Sequence, residues 1–423
     1  MKNRIALMVM LFILTVHIGI LAQNNVQCGF DIGMKSMEAL HPGFIEASNK
    51  VFKEIKHISD QNHTTRNDII EVPVVVHIVW KNESENLDDS LITSQLEVLN
   101  AAFNLQNKNK DILRPIFKDL QEDAKIRFTL YEVKRIKTSQ LFEPSILGLP
   151  DEVKQTLSGG SDALDTEQHI NIWVCKLQPI AFLGGQILGY SYPPSGLPNW
   201  PENVSAPEKE LDGIVIDYRA FGRNNPNPFV VSGVSYDLHE GLTTVHEMGH
   251  YLGLRHIWGD GNAIFGGNSC TEDDGIDDTP NQGEQSNFQC DYSQNTCNNG
   301  VGDLPDLIEN YMDYSGEACQ CMFTKEQVQF MRTVITTKRN SLVGTKNEVS
   351  LNHFSLAPNP VQNILSIKCH SEPLAIRIYD SIGQCQISDF TSTNLDVSQL
   401  PSGWYTCQIS TDSGVFTESF IKY

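Results

Sequence analysis

The chain has 423 residues, more than a single ordinary core accommodates, so we expect several domains. Its 31 Lys and Arg against 52 Asp and Glu give a net charge of −21, which disfavours nucleic acid and anionic membranes as partners. Such an acidic surface suits an exported protein that holds cations.

The first 22 residues have the composition of a secretory signal peptide. Lys2 and Arg4 precede a mostly apolar run over residues 5–21, which ends at Ala22. A retained membrane anchor is the alternative, and no later segment is apolar for long enough to span a bilayer.

Residues 23–66 are mostly polar, and we expect them to be irregular. They contain Cys28-Gly29-Phe30. Composition alone suggests a cleavage site near Arg66, in the polar stretch before the first strand.

Residues 70–240 predict several strands. Residues 74–80 form a near-continuous apolar run, typical of a strand buried on both faces. Residues 185–190 would be the sheet edge that lines a cleft, where unpaired amides can bind an extended peptide substrate. Further strands are predicted at 126–130, 170–174 and 214–218.

Two helices are indicated outside the histidine-rich segment described next. Apolar residues recur at helical spacing from Ile92 to Phe103, and Asp88 or Asp89 would cap that helix. Thr324 with Gln327 forms a capping box that predicts the start of a last helix.

Residues 244–256 carry the pattern of a catalytic zinc site. His246 and His250 lie four residues apart, on one face of a helix. Gly253 lets the chain leave the helix, and the turn brings His256 round as a third ligand. Three protein ligands leave the fourth position open for water, and Glu247 can act on that water as general base.

Two downstream segments add to this pattern. Residues 272–278 hold five carboxylates, which repel one another unless they are solvated or share a hard cation. In the segment 310–315, Met312 would pack beneath the histidine cluster with a flexible, polarisable side chain. Tyr314 could turn its hydroxyl toward the metal or stabilise an oxyanion.

Together these motifs resemble the metzincin zinc proteases, and within them the pappalysin family of the ulilysin type. The resemblance rests on HExxHxxGxxH, the Met-turn Asn-Tyr-Met-Asp-Tyr-Ser, Cys270 with Asp-x-x-x-Asp-Thr-Pro, and Met322-Phe323-Thr324. Segments 72–77 and 183–191 also look like that family. It covers roughly residues 70 to 340, and it implies an α/β (α+β) catalytic domain with a twisted mixed sheet and an active-site helix.

The resemblance also implies a zinc endopeptidase with calcium in the loop after the active-site helix. We name Asp274, Asp278 and Thr279 as candidate calcium ligands. The alternative is a merely solvated acidic turn.

Ten cysteines in an exported chain favour disulfides. The sequence does not fix their connectivity, but the resemblance implies the pairs Cys270–Cys297 and Cys290–Cys319. Cys321 is then left over. A second zinc site formed by cysteines is the rival interpretation, although no Cys-x-x-Cys pair with a matching partner is present.

Proteases of this class are usually made inactive, and family members carry a similar Cys-Gly in their pro-segments. Because a thiolate is a good zinc ligand, Cys28 could fill the open zinc position until the segment is cut away. Phe30 stands where the family would have Thr. A disulfide with Cys175, or a free thiol, is the alternative.

The last 70 or so residues form short alternating runs separated by turns, which predicts a small β-sandwich. The opening Pro358-Asn359-Pro360, residues 378–380 before Gly383, and the closing 420–422 resemble the C-terminal sorting domain of the type IX secretion system. That implies export across the outer membrane, then removal of this domain or attachment at the cell surface. A generic binding sandwich is the alternative.

We therefore expect a signal peptide (1–22), a pro-segment (23–66), a metzincin domain (67–345) and a sorting domain (346–423). The expected function is a secreted zinc endopeptidase that acts on protein or peptide substrates and engages the secretion machinery. An astacin- or serralysin-like metzincin and a surface binding protein with an inert metal site are the alternatives. Glu317 and Gln320 lie where a substrate pocket is plausible, but their mix of charges leaves the preference open.

Overall fold

The computed structural model describes residues 26–61, 68–145, 148–180, 185–201, 204–259, 270–271, 273–343, 354–369, 375–380, 384–389, 393–411 and 414–423. The expected signal peptide, Arg66 and Glu272 lie outside these ranges. The chain divides into two compact units, Met1–Gly344 and Thr345–Tyr423. In the part of the chain that is described, no helix combines the length and the apolar character needed to cross a bilayer.

The first unit combines a mixed sheet with helices. In chain order its elements are β1 (Val26–Gln27), α1 (Phe30–Leu40), α2 (Phe44–Gln61), β2 (Ile70–Trp80), α3 (Asp89–Phe103), β3 (Ile126–Lys137), β4 (Ile170–Cys175), β5 (Gln186–Ile187), β6 (Gly189–Tyr190), β7 (Ile214–Asp217), β8 (Phe229–Val231), β9 (Val234–Tyr236), α4 (Leu242–Tyr251) and α5 (Lys325–Thr337).

Five strands form the main sheet in the order β3-β2-β4-β7-β6. The first four run parallel, and β6 joins the edge antiparallel to β7. Parallel strands covered on both faces are apolar along their length, and every residue of β4 and β7 is buried. The sheet thus has one antiparallel edge, and α4 packs beside it.

The predicted elements are present, but their bounds differ: β2, β3 and β4 are longer than expected, β7 is one residue shorter, and the predicted edge 185–190 is divided into β5 and β6. β2 begins at Ile70, and β3 continues to Lys137 through mostly exposed residues. Asp88 caps α3 by accepting the Ser90 N–H at 2.9 Å. Thr324 and Gln327 form the capping box of α5.

The prediction that residues 23–66 are irregular is wrong, because most of them lie in α1 and α2. Their polar composition reflects the exposed faces of the two helices. The opposite face of α2 buries Phe44, Phe52 and Ile55, and Phe52 packs against Phe330 of α5 with ring centroids 4.6 Å apart. An amphipathic helix needs only such a narrow apolar stripe.

The second unit is a small antiparallel β domain. In chain order its strands are β10 (Phe354–Ala357), β11 (Ile364–Cys369), β12 (Ala375–Asp380), β13 (Cys385–Asp389), β14 (Asn394–Asp396), β15 (Gly403–Thr411) and β16 (Gly414–Lys422). They form two sheets, β10-β11-β14 and β13-β12-β15-β16. Leu365, Leu395, Ile376 and Ile409 from the two sheets share one apolar core, as in the expected β-sandwich.

Candidate active site and metal centre

The active-site helix α4 is buried along its whole length. Its first turn is held by Glu317, whose carboxylate accepts the N–H of Glu240 at 2.7 Å and that of Leu242 at 2.8 Å. Burial raises the pKa of Glu317 to about 7. The N–H groups at the start of a helix lack intrahelical partners, so this side chain fixes the position of α4.

Three histidine rings converge at one point. The Nε2 atom of His250 lies 3.1 Å from Nε2 of His246 and 3.1 Å from Nε2 of His256. His246 donates its Nδ1–H to the carbonyl of Tyr311 at 2.7 Å, and His250 donates to that of Leu254 at 2.9 Å. Those bonds leave the Nε2 lone pairs of both rings directed toward the shared point.

This arrangement fits a zinc ion. Burial lowers the pKa of His246 to about 3 and lowers that of His250 as well, so both rings are neutral near pH 7. Neutral imidazole nitrogens, oriented by carbonyls behind them, are ligands that zinc prefers. The nitrogens of the three rings and the Cys28 sulfur all lie within 4.8 Å of one another.

The turn after the helix places His256. Gly253 has φ +88°, a left-handed conformation that favours glycine, and it lies against Phe330 and Val334 of α5. The Leu254 N–H bonds the carbonyl of Gly249 at 2.9 Å, which closes the turn. His256 then stacks on Trp258 with ring centroids 4.4 Å apart.

The segment 310–315 passes directly beneath the histidines. Asn310 accepts the N–H of Met312 at 2.9 Å and donates to Gln327 at 2.7 Å, so the turn is anchored to the start of α5. Met312 is fully buried, and a Cβ on Gly249 would overlap its sulfur. The helix and the turn approach this closely because Gly249 has no side chain.

Glu247 lies at the edge of the sheet. It is fully buried, burial raises its pKa to about 8, and its carbonyl accepts the Ser191 hydroxyl at 2.9 Å. A Cβ on Gly189 would lie 3.0 Å from Cγ of Glu247 and 2.7 Å from the Val215 carbonyl. Gly189 is therefore required for the approach of β6 to this carboxyl group.

Residues of the N-terminal segment cover the histidines. The Cys28 N–H donates to the Tyr314 hydroxyl at 3.0 Å, and the Phe30 N–H donates to the Cys28 sulfur at 3.2 Å. Tyr314 is buried against His246 and His256, with ring centroids 5.5 and 5.0 Å apart.

The same segment occupies the sheet edge beside the histidines. β1 pairs parallel with β5, and the Gly29 N–H donates to the carbonyl of Gly189 at 2.7 Å. The edge predicted to accept substrate is therefore filled by this chain's own N-terminal segment.

The acidic loop brings together two of its three candidate ligands. Asp274 is buried, and one of its oxygens accepts the Thr279 hydroxyl at 2.8 Å and the Ile276 N–H at 3.0 Å. Its other oxygen is buried without a hydrogen-bond partner. Asp278 instead accepts the N–H of Glu326, at the start of α5, with one oxygen, and its second oxygen is also buried and unpartnered.

Both cysteine pairs implied by the resemblance are bonded, Cys270 to Cys297 and Cys290 to Cys319. Cys28, Cys175 and Cys321 are free and buried, so the alternative disulfide between Cys28 and Cys175 is absent.

Sequence reasoning missed several groups at this site. Gly189 and Ser191 lie in the segment 183–191, and Gly249 lies within HExxHxxGxxH, but the sequence patterns assign these three residues no role of their own. Only their closeness to Glu247 and Met312 reveals what they do. Glu317 and Gln320 line a pocket beside His246 and Glu247 with Leu188, Leu238, Leu242 and Phe288. In it the Glu317 carboxylate also serves as the helix cap described above.

The chain is similar in sequence and fold to known proteins. Residues 223–336 match the family described as pregnancy-associated plasma protein-A, and residues 355–423 match the secretion system C-terminal sorting domain. An extracellular metalloprotease of Arthroderma gypseum is 24% identical over 296 residues, which span 69% of this chain and 80% of that protein.

Two solved structures from Tannerella forsythia are also similar. Mature mirolysin in complex with a cleaved peptide is 32% identical with a TM-score of 0.54, and the match covers 65% of this chain and 96% of that one. A promirolysin mutant is 30% identical with a TM-score of 0.59, covering 75% and 96%. The chain therefore belongs to the pappalysin family of metalloproteases, and it is a secreted zinc endopeptidase with a type IX sorting domain.

Proposed function

We propose that the protein is exported as a latent precursor in which the zinc ion is held by His246, His250, His256 and the thiolate of Cys28. One observation carries this proposal: the side-chain donors of all four residues lie within 4.8 Å of one another. A tetrahedral zinc site needs four such donors, and the loss of the sulfur opens the position that catalysis requires.

The three histidines suit this role because two carbonyls fix their outer nitrogens. The bonds from His246 to Tyr311 and from His250 to Leu254 set the ring tautomers before any metal binds. Zinc held there would act as a Lewis acid: it would polarise a peptide carbonyl and lower the pKa of water, so that the water could lose a proton and attack at neutral pH.

Glu247 acts as the general base and then as the general acid. Its carboxyl group takes a proton from the attacking water and delivers it to the nitrogen of the leaving amine. Burial raises the pKa of this carboxyl group to about 8, a shift in the direction that favours uptake of a proton. Ser191 orients the group, with its hydroxyl 3.4 Å from the Glu247 carboxyl oxygen.

Tyr314 stabilises the oxyanion. Its hydroxyl now accepts the N–H of Cys28 at 3.0 Å, a contact that exists only while the N-terminal segment is in place. Removal of the segment frees the hydroxyl, which can then donate to negative charge that develops on the scissile carbonyl.

The N-terminal segment blocks the site in two ways. Cys28 supplies a fourth donor, and β1 uses backbone groups of β5 that an extended substrate would need. The structural neighbour mature mirolysin holds a cleaved peptide. We infer that protein or peptide substrates of this chain bind along the same edge once β1 has left.

A second region anchors the pro-segment away from the histidines. The Arg255 guanidinium lies 4.0 Å from the centroid of the Phe52 ring, and it donates to Asn49 at 2.5 Å. The Lys56 ammonium contacts Asp277 at 3.0 Å and Glu326 at 3.3 Å. Residues 26–61 therefore have the contacts of an inhibitory pro-segment, which we propose spans 23–66 and is released by cleavage near Arg66.

We propose that the acidic loop binds calcium. The unpartnered buried oxygens of Asp274 and Asp278 support it, because a buried carboxylate oxygen without a donor is costly unless a cation balances it. Thr279 holds Asp274 in place through its hydroxyl. Calcium would thus stabilise the loop that connects α4 to the Met-turn.

The C-terminal domain directs export. We propose that the boundaries are 1–22 for the signal peptide, 23–66 for the pro-segment, 67–345 for the protease and 346–423 for the sorting domain. The secretion machinery is the partner of this last domain, which is then removed or attaches the enzyme to the cell surface.

The proposal is tested with Glu247→Ala in the matured enzyme. The variant should keep its fold and its zinc, measured by circular dichroism and elemental analysis, and lose nearly all casein cleavage. Glu97→Gln, an exposed glutamate on α3, is the matched control and should cleave casein normally, with activity lost on adding a chelator. Full activity of Glu247→Ala would remove that residue from the mechanism.

A further inference from the structure

The third histidine depends on how the active-site helix ends. α4 stops at Tyr251, and the chain must reverse within a few residues for His256 to meet His250. The carbonyls of a last helical turn lack intrahelical partners, so groups outside the helix decide where that turn lies.

One arginine holds this helix end. Arg339 follows α5 and is 2% exposed. Its Nε–H donates to the Tyr251 carbonyl at 3.2 Å, and Nη1 donates to the Tyr251 hydroxyl at 2.7 Å. The centre of the guanidinium lies 3.6 Å from the centroid of the Tyr251 ring. The side chain thus fixes both the backbone and the ring of the last helical residue.

A buried aspartate completes the contact. Asp212 accepts from Nη1 of Arg339 at 2.6 Å and from Nη2 at 3.3 Å. It lies just before β7, and it also bonds the hydroxyl of Ser205. Asp212 leads into β7, a strand of the main sheet. Arg339 therefore connects three parts of the fold: the main sheet, the end of α4 and the segment after α5.

We infer that Arg339 is a positioning residue for the zinc site: by fixing Tyr251, it sets the point from which the chain turns back to His256. The inference rests on the assignment of His256 as a ligand. A planar fork of donors suits this task, because it bonds Asp212 and Tyr251 at once, which a lysine ammonium on a flexible stem does not reproduce.

Arg339→Lys in the full-length chain tests this, since Lys keeps the positive charge beside Asp212 and loses the fork. Zinc should transfer from this variant to a chelating dye about tenfold faster than from the unaltered chain. That factor is the lower end of the loss of metal affinity seen when a residue that supports a metal ligand is replaced. The visible spectrum of the cobalt-loaded protein should change. The urea midpoint of the metal-free protein should stay close to that of the unaltered chain.

Arg332→Lys is the matched control. Arg332 lies on α5 and, like Arg339, donates to backbone carbonyls, but these belong to Ala124, Lys125 and Asp68, away from the histidines. Its zinc release should be unchanged.

Tyr251→Phe is the second variant, and it decides the question if Arg339→Lys does not fold. It removes only the hydroxyl that Arg339 bonds, and we expect faster zinc release by a smaller factor. Unchanged zinc release in the folded variants would overturn the inference. A lower urea midpoint with normal zinc release would overturn it too, because Arg339 would then contribute only to the stability of the fold. His256→Ala, measured alongside, separates the two proposals: if it holds zinc as the unaltered chain does, the ligand assignment itself is wrong.

Discussion

The ring of Phe30 lies flat on the imidazole of His250, with centroids 4.0 Å apart and planes inclined by 11°. The same ring meets His256 edge-on at 5.7 Å, and Phe30 is 2% exposed. The family resemblance leads one to expect threonine here, and no motif predicted an aromatic cover. In this chain a residue beside Cys28 shields two of the three histidines from solvent.

Replacing Phe30 with alanine should shorten the life of the precursor. Truncating a buried phenylalanine leaves a cavity and costs about 3 to 5 kcal/mol. In this chain the lost free energy weakens the binding of the pro-segment to the rest of the protein. Because 1.4 kcal/mol corresponds to a tenfold change, self-processing should become at least about tenfold faster. The time course of the precursor on a gel measures it. Phe117→Ala, a buried phenylalanine outside the pro-segment, controls for general weakening, and equal rates in the two variants would contradict the prediction.

Cys28→Ser should also yield a precursor that processes itself faster. Serine fills nearly the same space but is a poor zinc ligand, so the open zinc position becomes accessible while the packing of the segment is kept. The measurement is peptidase activity of freshly purified precursor over time. Cys385→Ser, which alters an exposed free thiol, should leave latency as it is. Unchanged latency in Cys28→Ser would count against the thiol as a zinc ligand.

Asp274→Asn should abolish the stabilisation of the protein by calcium. The substitution removes the charge of a buried carboxylate, so the loop no longer needs a cation and no longer attracts one. The melting temperature with millimolar calcium and with a calcium chelator gives the comparison. In the exposed control Asp119→Asn, calcium should still raise the melting temperature. If calcium has no effect on the unaltered chain, the loop is a solvated turn.

Acid should weaken the fold through His77. This ring is fully buried between Ser161 at 2.8 Å and Asn171 at 2.9 Å, and burial lowers its pKa from 6.5 to about 4. Between those two pH values the unfolded chain binds a proton that the folded chain does not. Stability therefore rises with pH across this window and is lost as pH falls through it, by up to about 3 kcal/mol.

Urea unfolding at pH 7.5 and at pH 5 checks this prediction. His77→Gln should make the two midpoints more alike, although its stability at neutral pH will be lower. His57→Gln, at an exposed histidine of α2, should keep the full difference between the two pH values. A difference of the same size in His77→Gln would show that other groups cause the acid sensitivity.

Local chemistry explains why much of this site could be predicted from sequence. The spacing of His246 and His250 is a property of any helix, and Gly253 marks the turn because its φ of +88° excludes most other residues. The caps at Asp88 and Thr324 likewise depend on residues two or three positions apart. Such features need no knowledge of the rest of the fold.

The contacts that the sequence did not predict are those between distant segments. The helices α1 and α2 were missed because their apolar stripe is narrow and their binding surface is distant in sequence. Phe30 and Arg339 have no signature of their own, and only the path of the chain places one over His250 and the other behind Tyr251. Long-range packing of single residues is not periodic, so pattern reasoning does not detect it.

The position of Arg339 limits how the enzyme can be trimmed at its C-terminus. Only a few residues separate it from Gly344, where the first compact unit ends. A protease that removes the C-terminal sorting domain must cut after Arg339, because a cut before it would remove the contacts that hold the end of α4. Cutting too deeply would release a chain that is correctly delivered but holds its metal poorly.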